Sequence, residues 1–481
     1  MFTDEIVRSG IFVLNSHVPI TVEIVGRSKD VIHEEIHPDQ IGDNLKKVTD
    51  QVFRSAGTGV ITYLDEYIRI HEAKGLKVLG TETREFTTIA GKLSYTRRIY
   101  RSKEGKRIKP VDELLGLEKY ARRDKKLQEM NCALAGRSNY RETAAISTMI
   151  TQKYISPASI SRDVKRVGLR LAESDKNFYT EEKGTVRSNV LYGESDGIFV
   201  RLQKDKEGKK AAEIRAAVTY TGKKWLSGNR RKLTDKMILT AMDVSSLQWQ
   251  EMVRNHMFAK YALSNVKLMA VGGDGGSWVG SSFNLCGIKH IEHVLDPFHI
   301  KRAIRTAFSD ALELSPVYDS LFHDGFSAIA DTLRPLTKKG RPSIRSARLN
   351  CLRYLQNHQD EILPLSERNL PFDRLYSLGC MESNIGKAIA LRMKTRGCSW
   401  SRSGAQAMSA ILCHLPELFD HSFHYSDFKK VNNFTISSRR RQPRQPQSHI
   451  HSASFPVVSS GKASAPFYSL FKSIMNGSEL P

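Results

Sequence analysis

The stretch VGGDGGSW, residues 271–278, sets one carboxylate, Asp274, among four glycines directly after the apolar run VKLMAV. A buried strand that ends in a flexible turn has no packing use for a charge there. A carboxylate oxygen is, however, a hard ligand that suits Mg2+, an ion that takes one or two carboxylates and keeps waters and substrate phosphate oxygens. Two such ions roughly 4 Å apart clamp the attacking and leaving oxygens of an in-line phosphodiester displacement. That chemistry needs further carboxylates converging from other elements. Asp196, in VLYGESDGIFVRLQ, lies 78 residues before Asp274 (274 − 196), and Glu382, in LGCMESNIGKAIALRMKTRGCSW, lies 108 after it (382 − 274). Glu194, Asp243, Glu367 and Asp373 are spare acids by the same loose criterion.

Positioning these groups calls for an α/β sheet, and from residue 187 the chain alternates strands and helices. SNVLYGESDGIFVRLQ reads as two strands turning at Asp196–Gly197, AAEIRAAVTYTGKKW as a third, and residues 234–262 as one long helical stretch. VKLMAV and HIEHVLD follow as strands, and PFHIKRAIRTAF opens a helix. In such an order the first and fourth strands can lie side by side, which sets Asp196 beside Asp274. A helix beginning near Glu382 then points its first turn at the strand ends, and SGAQAMSAILCHLPELF supplies another helix.

Upstream, residues 1–80 mix strands and helices, and residues 81–135 form a basic, β-rich region whose Arg and Lys density suits contact with a DNA backbone. Residues 136–175 read as a helix-turn-helix: an alanine-rich helix near 141–152, a short turn, then a second helix begun by Ser156 as N-cap and Pro157 in the first turn. That second helix carries Ser161, Arg162, Lys165 and Arg166, the side chains expected to meet DNA. The tail from 428, with Arg439–Arg440–Arg441, is rich in Ser, Pro, Arg and Gln and reads as disordered.

Composition agrees with a polyanionic partner. The 481 residues hold 74 basic and 51 acidic side chains, a surplus of +23, and phosphate contacts by Lys and Arg supply most non-specific nucleic-acid affinity. No apolar run approaches the roughly 20 residues that span a bilayer, and the N-terminus MFTDEIVRSGIFVLN lacks the pattern of a signal peptide. Six scattered cysteines without a CxxC pair fit reduced thiols and give no zinc spacing. A cytoplasmic, nucleoid-associated bacterial protein is expected.

Five blocks, VLYGESDGIFVRLQ…EIRAAVTYTGKKW, VGGDGGSW, HVLDPFHIKRAI and ESNIGKAIALRMKTRGCSWSRSGAQAM among them, occur in the order found in bacterial insertion-sequence transposases of the ISLre-two family. Over roughly residues 85–415 the chain resembles that family, a relative of the mutator-like group. The resemblance implies an RNase H-like mixed sheet flanked by helices (185–309 and 376–425), interrupted by a helical insertion (310–375) and preceded by an α+β DNA-binding region. It implies a DDE site of Asp196, Asp274 and Glu382 holding two Mg2+ or Mn2+ ions, and a helix-turn-helix that binds the element's terminal repeats. Asp296 and His299, in LDPFH, match a D-x-x-H motif of the wider group and are expected to support the site; taken alone, DPFH is a capping Asp followed by a structural His. Trp400 is open to two readings, a stacking platform for an end base or a core tryptophan. Lys387, Arg392, Lys394 and Arg396 give the Glu382 segment a basic face for phosphates.

The expected activity is cleavage of double-stranded DNA at the ends of the element and transfer of the freed strand to target DNA, by a homo-oligomer that holds two ends together and without a membrane partner. A DNA-binding protein without catalysis and a structure-specific nuclease on the same core are the competing readings.

Overall fold

The computed structural model describes residues 20–423 apart from 26–30, 37–40, 74, 103, 204–207, 228–229, 373 and 396. The Arg439–Arg441 tail, the N-terminal segment and the spare acid Asp373 lie outside the described residues. The chain forms two compact units, one running to residue 115 except for 86–89, the other comprising 86–89 and 116–424.

In the first unit an antiparallel hairpin, β1 (Ile20–Val25) and β2 (Val31–Ile36), precedes a long helix, α1 (Ile41–Tyr67). A three-stranded sheet follows in the order β3 (Lys77–Thr88), β4 (Gly91–Arg101), β5 (Arg107–Ile108), then a short α2 (Pro110–Leu114). β4 alternates buried and exposed positions along most of its length, as a strand with one covered face must. Some of the basic density expected to face DNA is turned inward. Buried Asp112 accepts hydrogen bonds from Tyr95 Oη at 2.5 Å, Arg84 at 2.6 Å and Arg97 at 3.0 Å. Burial alone would raise its carboxyl, but these donors hold it below the ordinary Asp value.

The second unit begins with three helices, α3 (Lys125–Arg137), α4 (Tyr140–Thr151) and α5 (Pro157–Lys176). Their ends are set by the chain itself. Asn139 and Glu142 form a capping box at α4, and Ser156 caps α5 with Pro157 in its first turn.

A five-stranded mixed sheet comes next, built from β6 (Val190–Arg201), β7 (Ala211–Tyr220), β10 (Met237–Met242), β11 (Leu268–Gly273) and β12 (Ile291–Leu295) in the spatial order β10-β7-β6-β11-β12. β7 runs antiparallel to β6 and β10, whereas β11 runs parallel to β6 and β12. Between β7 and β10 a separate antiparallel ribbon, β8 (Gly222–Ser227) and β9 (Arg230–Thr234), leaves the sheet.

Two sequence expectations are corrected here. Asp196–Gly197 is not a hairpin turn: β6 is one continuous strand, paired with β7 without a break from Tyr192 to Arg201. The long helix over 234–262 is instead strand β10 followed by α6 (Ser246–Lys260). A short apolar run such as MILTAM fits either state until a neighbouring strand claims it, and β7 does. Asp243, at φ 57°, then turns the chain, and Ser245 with Gln248 forms the capping box that starts α6.

Helices cover both faces. α14 (Arg402–Cys413) and α5 pack together so closely that a Cβ at Gly168 would stand 2.3 Å from the Ala407 carbonyl oxygen. With α3 and α4 they share one apolar core with β6 and β7, while α6, a short α7 (Ser277–Gly280) and the 3-10 turn that follows it to Cys286 cover the opposite face. After β12, α8 (Pro297–Phe308), α9 (Leu314–Asp324), α10 (Phe326–Leu333) and α11 (Pro342–Asn357) build a core of their own; α9 to α11 fall within 310–375, the stretch expected as a helical insertion, and α8 precedes it. α12 (Met381–Ile385), α13 (Leu391–Met393), α14 and a terminal α15 (Leu415–Phe423) complete the unit. Among the described residues no helix is long and apolar enough to cross a membrane.

Candidate active site

The parallel pairing of β6 with β11 sets the site. Its register runs from Leu268 opposite Val190 to Gly272 opposite Glu194; Asp274 follows the end of β11 two residues after Gly272, and Asp196 stands on β6 two residues after Glu194. Adjacent strands lie about 4.8 Å apart, so the turn after β11 carries Asp274 close to Asp196 on β6, and both line one pocket. A small pocket there is lined by Glu194, Asp196, Asp274, Asp296 and His299, with Leu378, Gly379 and Met381 closing one wall.

The glycines around Asp274 now have a reason. A Cβ at Gly273 would lie 2.2 Å from Val279, and Gly275 takes φ +86°, where side chains with a Cβ are strained. The turn is held from the insertion as well: Tyr354 of α11 donates its hydroxyl to the Asp274 carbonyl at 3.0 Å.

Among the described residues four acids and no Lys or Arg line this pocket, in a chain with a surplus of +23. Glu194, only 2% exposed, is fully engaged. It accepts from Tyr220 Oη at 2.8 Å, Cys380 Sγ at 2.9 Å, Met381 N at 2.9 Å and Gly379 N at 3.1 Å. Among the described residues the other three are sparsely bonded. Asp196 accepts from Gly197 N at 2.7 Å, Asp274 from Gly276 N at 2.8 Å and Asp296 from Phe298 N at 2.8 Å, each through one oxygen. Burial raises the Asp196 carboxyl above its ordinary value. The charges of Asp274 and Asp296 push the same way, against the Gly197 amide and His299. A cation in the pocket would relieve that repulsion.

No three described His, Cys, Asp and Glu side chains form a set that could enclose an ion by themselves. Two carboxylates, one in the middle of β6 and one just past the end of β11, nevertheless suit a hard ion that fills its remaining positions with water and phosphate oxygens.

The sequence-derived residues separate into groups. Asp196, Asp274, Asp296 and His299 come together. Asp296 also caps α8, as DPFH read alone suggests. Glu382 and Lys387 lie in helical segments but their side chains, like Arg396 as a whole, lie outside the described residues; Met381, next to Glu382, lines the pocket. Trp400 is a core tryptophan: it is 6% exposed, donates Nε1–H to the Met393 carbonyl at 2.9 Å and packs edge-on against Tyr140. Arg392 lies over both rings and donates to Ala135 O at 2.7 Å, so it serves packing at this point, whereas Lys394 is exposed. On α5, Arg162 is exposed, Ser161 and Lys165 are half-buried, and Arg166 pairs with Glu118 at 3.7 Å. Sequence reasoning left Glu194 among the spare acids and had no signal for Tyr354.

Residues 32–417 match the family described as "Uncharacterised protein family (UPF0236)", well over half of the chain. The chain belongs to UPF0236. It is 23% identical over 459 residues to the "UPF0236 protein in vanSb 3'region" of Streptococcus gallolyticus, covering 92% of this chain and 98% of that one. A UPF0236 protein of Caldanaerobacter subterraneus subsp. tengcongensis is 23% identical over 415 residues, covering 83% of this chain and 82% of its own, and its name joins eleven designations from one strain. Among solved structures, the "Drosophila P element transposase strand transfer complex" overlaps 67% of this chain and 83% of its own at 11% identity, with a TM-score of 0.23. That overlap is too weak to carry fold or function between the two.

Proposed function

We propose that this UPF0236 chain is a DNA transposase of the DDE type, which binds the terminal inverted repeats of an insertion sequence, cuts them and joins the freed strand to target DNA. The observation that carries the reading is the acidic pocket where β11 ends beside β6 in a strongly basic protein. A basic surface draws in a polyanion, and an acid-lined pocket within it would repel that polyanion unless cations intervene. The mixed sheet, with its first and fourth strands adjacent and helices on both faces, suits the RNase H-like core that the ISLre-two resemblance implies. One name shared by eleven designations in one strain is also what a sequence present in many copies would produce.

In this reading Asp196 and Asp274 hold the divalent cations, Mg2+ or Mn2+, with Glu382 as the third carboxylate. Two bound ions would supply charge stabilisation at the attacking and leaving oxygens of the phosphodiester. The chain's own part is placement. Glu194 ties the entry of α12 to β6, Tyr354 steadies the Asp274 turn, and His299, beside Asp196, offsets acid charge when protonated. Arg162 and the exposed face of α5 are the groups for the terminal repeats, and a homo-oligomer would bring two ends together.

The test uses the gene's own flanking ends as substrate with purified protein and Mg2+ or Mn2+. Wild type cuts and joins, while Asp196→Asn, Asp274→Asn and Glu382→Gln bind the ends with unchanged affinity and lose on the order of a thousandfold in cutting. Cutting that survives all three substitutions, or no binding to the ends by wild type, would overturn the proposal.

A further inference from the structure

The ribbon β8–β9 has no part in the site described above, and its composition is unusual. GKKWLS and RRKLT carry Lys223, Lys224, Arg230, Arg231 and Lys232 with no acid between them. Trp225 is 56% exposed and its neighbour Leu226 64%. Of the chain's other tryptophans, Trp249 and Trp400 are buried and Trp278 is half-buried. Burial is the usual way to use so large an apolar side chain, and an isolated two-stranded ribbon offers no core to bury it. Arg231, paired with Trp225 across the ribbon, holds its guanidinium 4.5 Å from the ring centroid, which braces the indole without covering it.

The root of the ribbon is fixed to the wall of the acidic pocket. Lys223 Nζ donates to the Ser377 carbonyl at 2.5 Å, and a Cβ at Gly222 would lie 3.1 Å from Tyr376. Residues 376–377 run straight into Leu378, Gly379 and Met381, which line that pocket. Tyr220, just before the ribbon, donates to Glu194. At about 3.3 Å per residue, Trp225 stands at most roughly 17 Å from Tyr220, across the bend at Thr221. That distance is a few base-pair steps.

We propose that β8–β9 is a wedge for DNA ends: its cations take the backbone phosphates, and Trp225 with Leu226 stacks on and parts the terminal base pairs of a duplex whose strand enters the pocket. The proposal rests on reading the pocket as one that acts on DNA. Each element of it follows from the ribbon's chemistry. A two-stranded β-ribbon fits the major groove, clustered Lys and Arg release counterions on meeting phosphates, apolar side chains pushed between base steps unstack them, and an indole stacks on any base.

The experiment measures binding of the full chain to two duplexes of the same flanking sequence, one fully paired and one frayed at its end, each with 2-aminopurine near the terminus. Wild type prefers the frayed duplex and changes the 2-aminopurine fluorescence. Trp225→Ala loses that preference by roughly tenfold, as removal of one stacking platform does, and Trp225→Phe keeps most of it. Joint replacement of Arg230, Arg231 and Lys232 by Ala weakens both duplexes alike and lowers the slope of log affinity against log salt by about three. All four side chains are exposed, and circular dichroism checks that each variant is folded. Asp274→Asn separates the two proposals, because it stops cutting and leaves the frayed-end preference intact. A Trp225-dependent preference in a protein that never cuts would leave the wedge standing and remove the catalytic reading. Cutting by wild type, with Trp225→Ala binding both duplexes as wild type does, would overturn the wedge. Binding of wild type to phosphatidylglycerol vesicles in place of DNA would overturn it too.

Discussion

Glu194 offers the sharpest test of how the site is held together. Two variants remove its charge in different ways. In Glu194→Gln the amide can turn its carbonyl to the Gly379 and Met381 amides, and its NH2 then faces Tyr220 Oη and Cys380 Sγ. A hydroxyl and a thiol can both rotate to accept. What is lost is the charge assistance on two backbone bonds, about 1–2 kcal/mol. Glu194→Leu keeps the bulk and accepts nothing. Two backbone N–H groups and the tyrosine hydroxyl are then left unpaired in a site 2% exposed, and at about 1–3 kcal/mol each the total is roughly 4 kcal/mol once relaxation is allowed. Urea unfolding read by tryptophan fluorescence gives the two values, and hydrogen exchange at Gly379 and Met381 locates the loss. Their protection should fall by roughly tenfold for each 1.4 kcal/mol of local stability removed. Equal stability of Glu194→Leu and Glu194→Gln, or protection at 379 and 381 unchanged in both, would refute the argument that this carboxylate fastens α12 to β6.

Two further outcomes follow from packing and charge. Gly168→Ala drives a methyl to 2.3 Å from the Ala407 carbonyl oxygen, and α5 must lift off α14. A loss of at least about 3 kcal/mol in thermal or urea unfolding is expected, and a loss under about 1 kcal/mol would show that the helices part freely. The second concerns His414, which donates to Asp175 at 3.0 Å and faces Glu417. Burial alone would lower its pKa, yet the two carboxylates raise it from 6.5 to about 10. A raised folded pKa stabilises fully below the unfolded value and is lost as pH climbs through the folded one. His414→Gln should therefore cost roughly 1–2 kcal/mol near pH 6, discounted for a ring 30% exposed, and close to nothing above pH 10. A cost that grows with pH would contradict the charged pair.

What the sequence by itself determined is local. Ser156–Pro157 starts α5, Asp296 caps α8, and Asp274 falls in the turn after β11 because caps and turns are settled by residues within one turn of each other. The pairing of first and fourth strands was also legible, since alternating strands and helices leave few sheet orders. Tertiary structure decided the rest. Asp196–Gly197 carries a hairpin signal, yet pairing with β7 along the whole of β6 overrides it. MILTAM had no state of its own until β7 accepted it as a neighbour. Glu194 is indistinguishable in sequence from its spare companions, because the amide that reveals its role, that of Met381, arrives 187 residues later. Trp225 and Trp400 read alike as aromatic residues near lysines and arginines. One stands on an unpacked ribbon and the other closes a core against Tyr140, a difference made by which distant surface each finds.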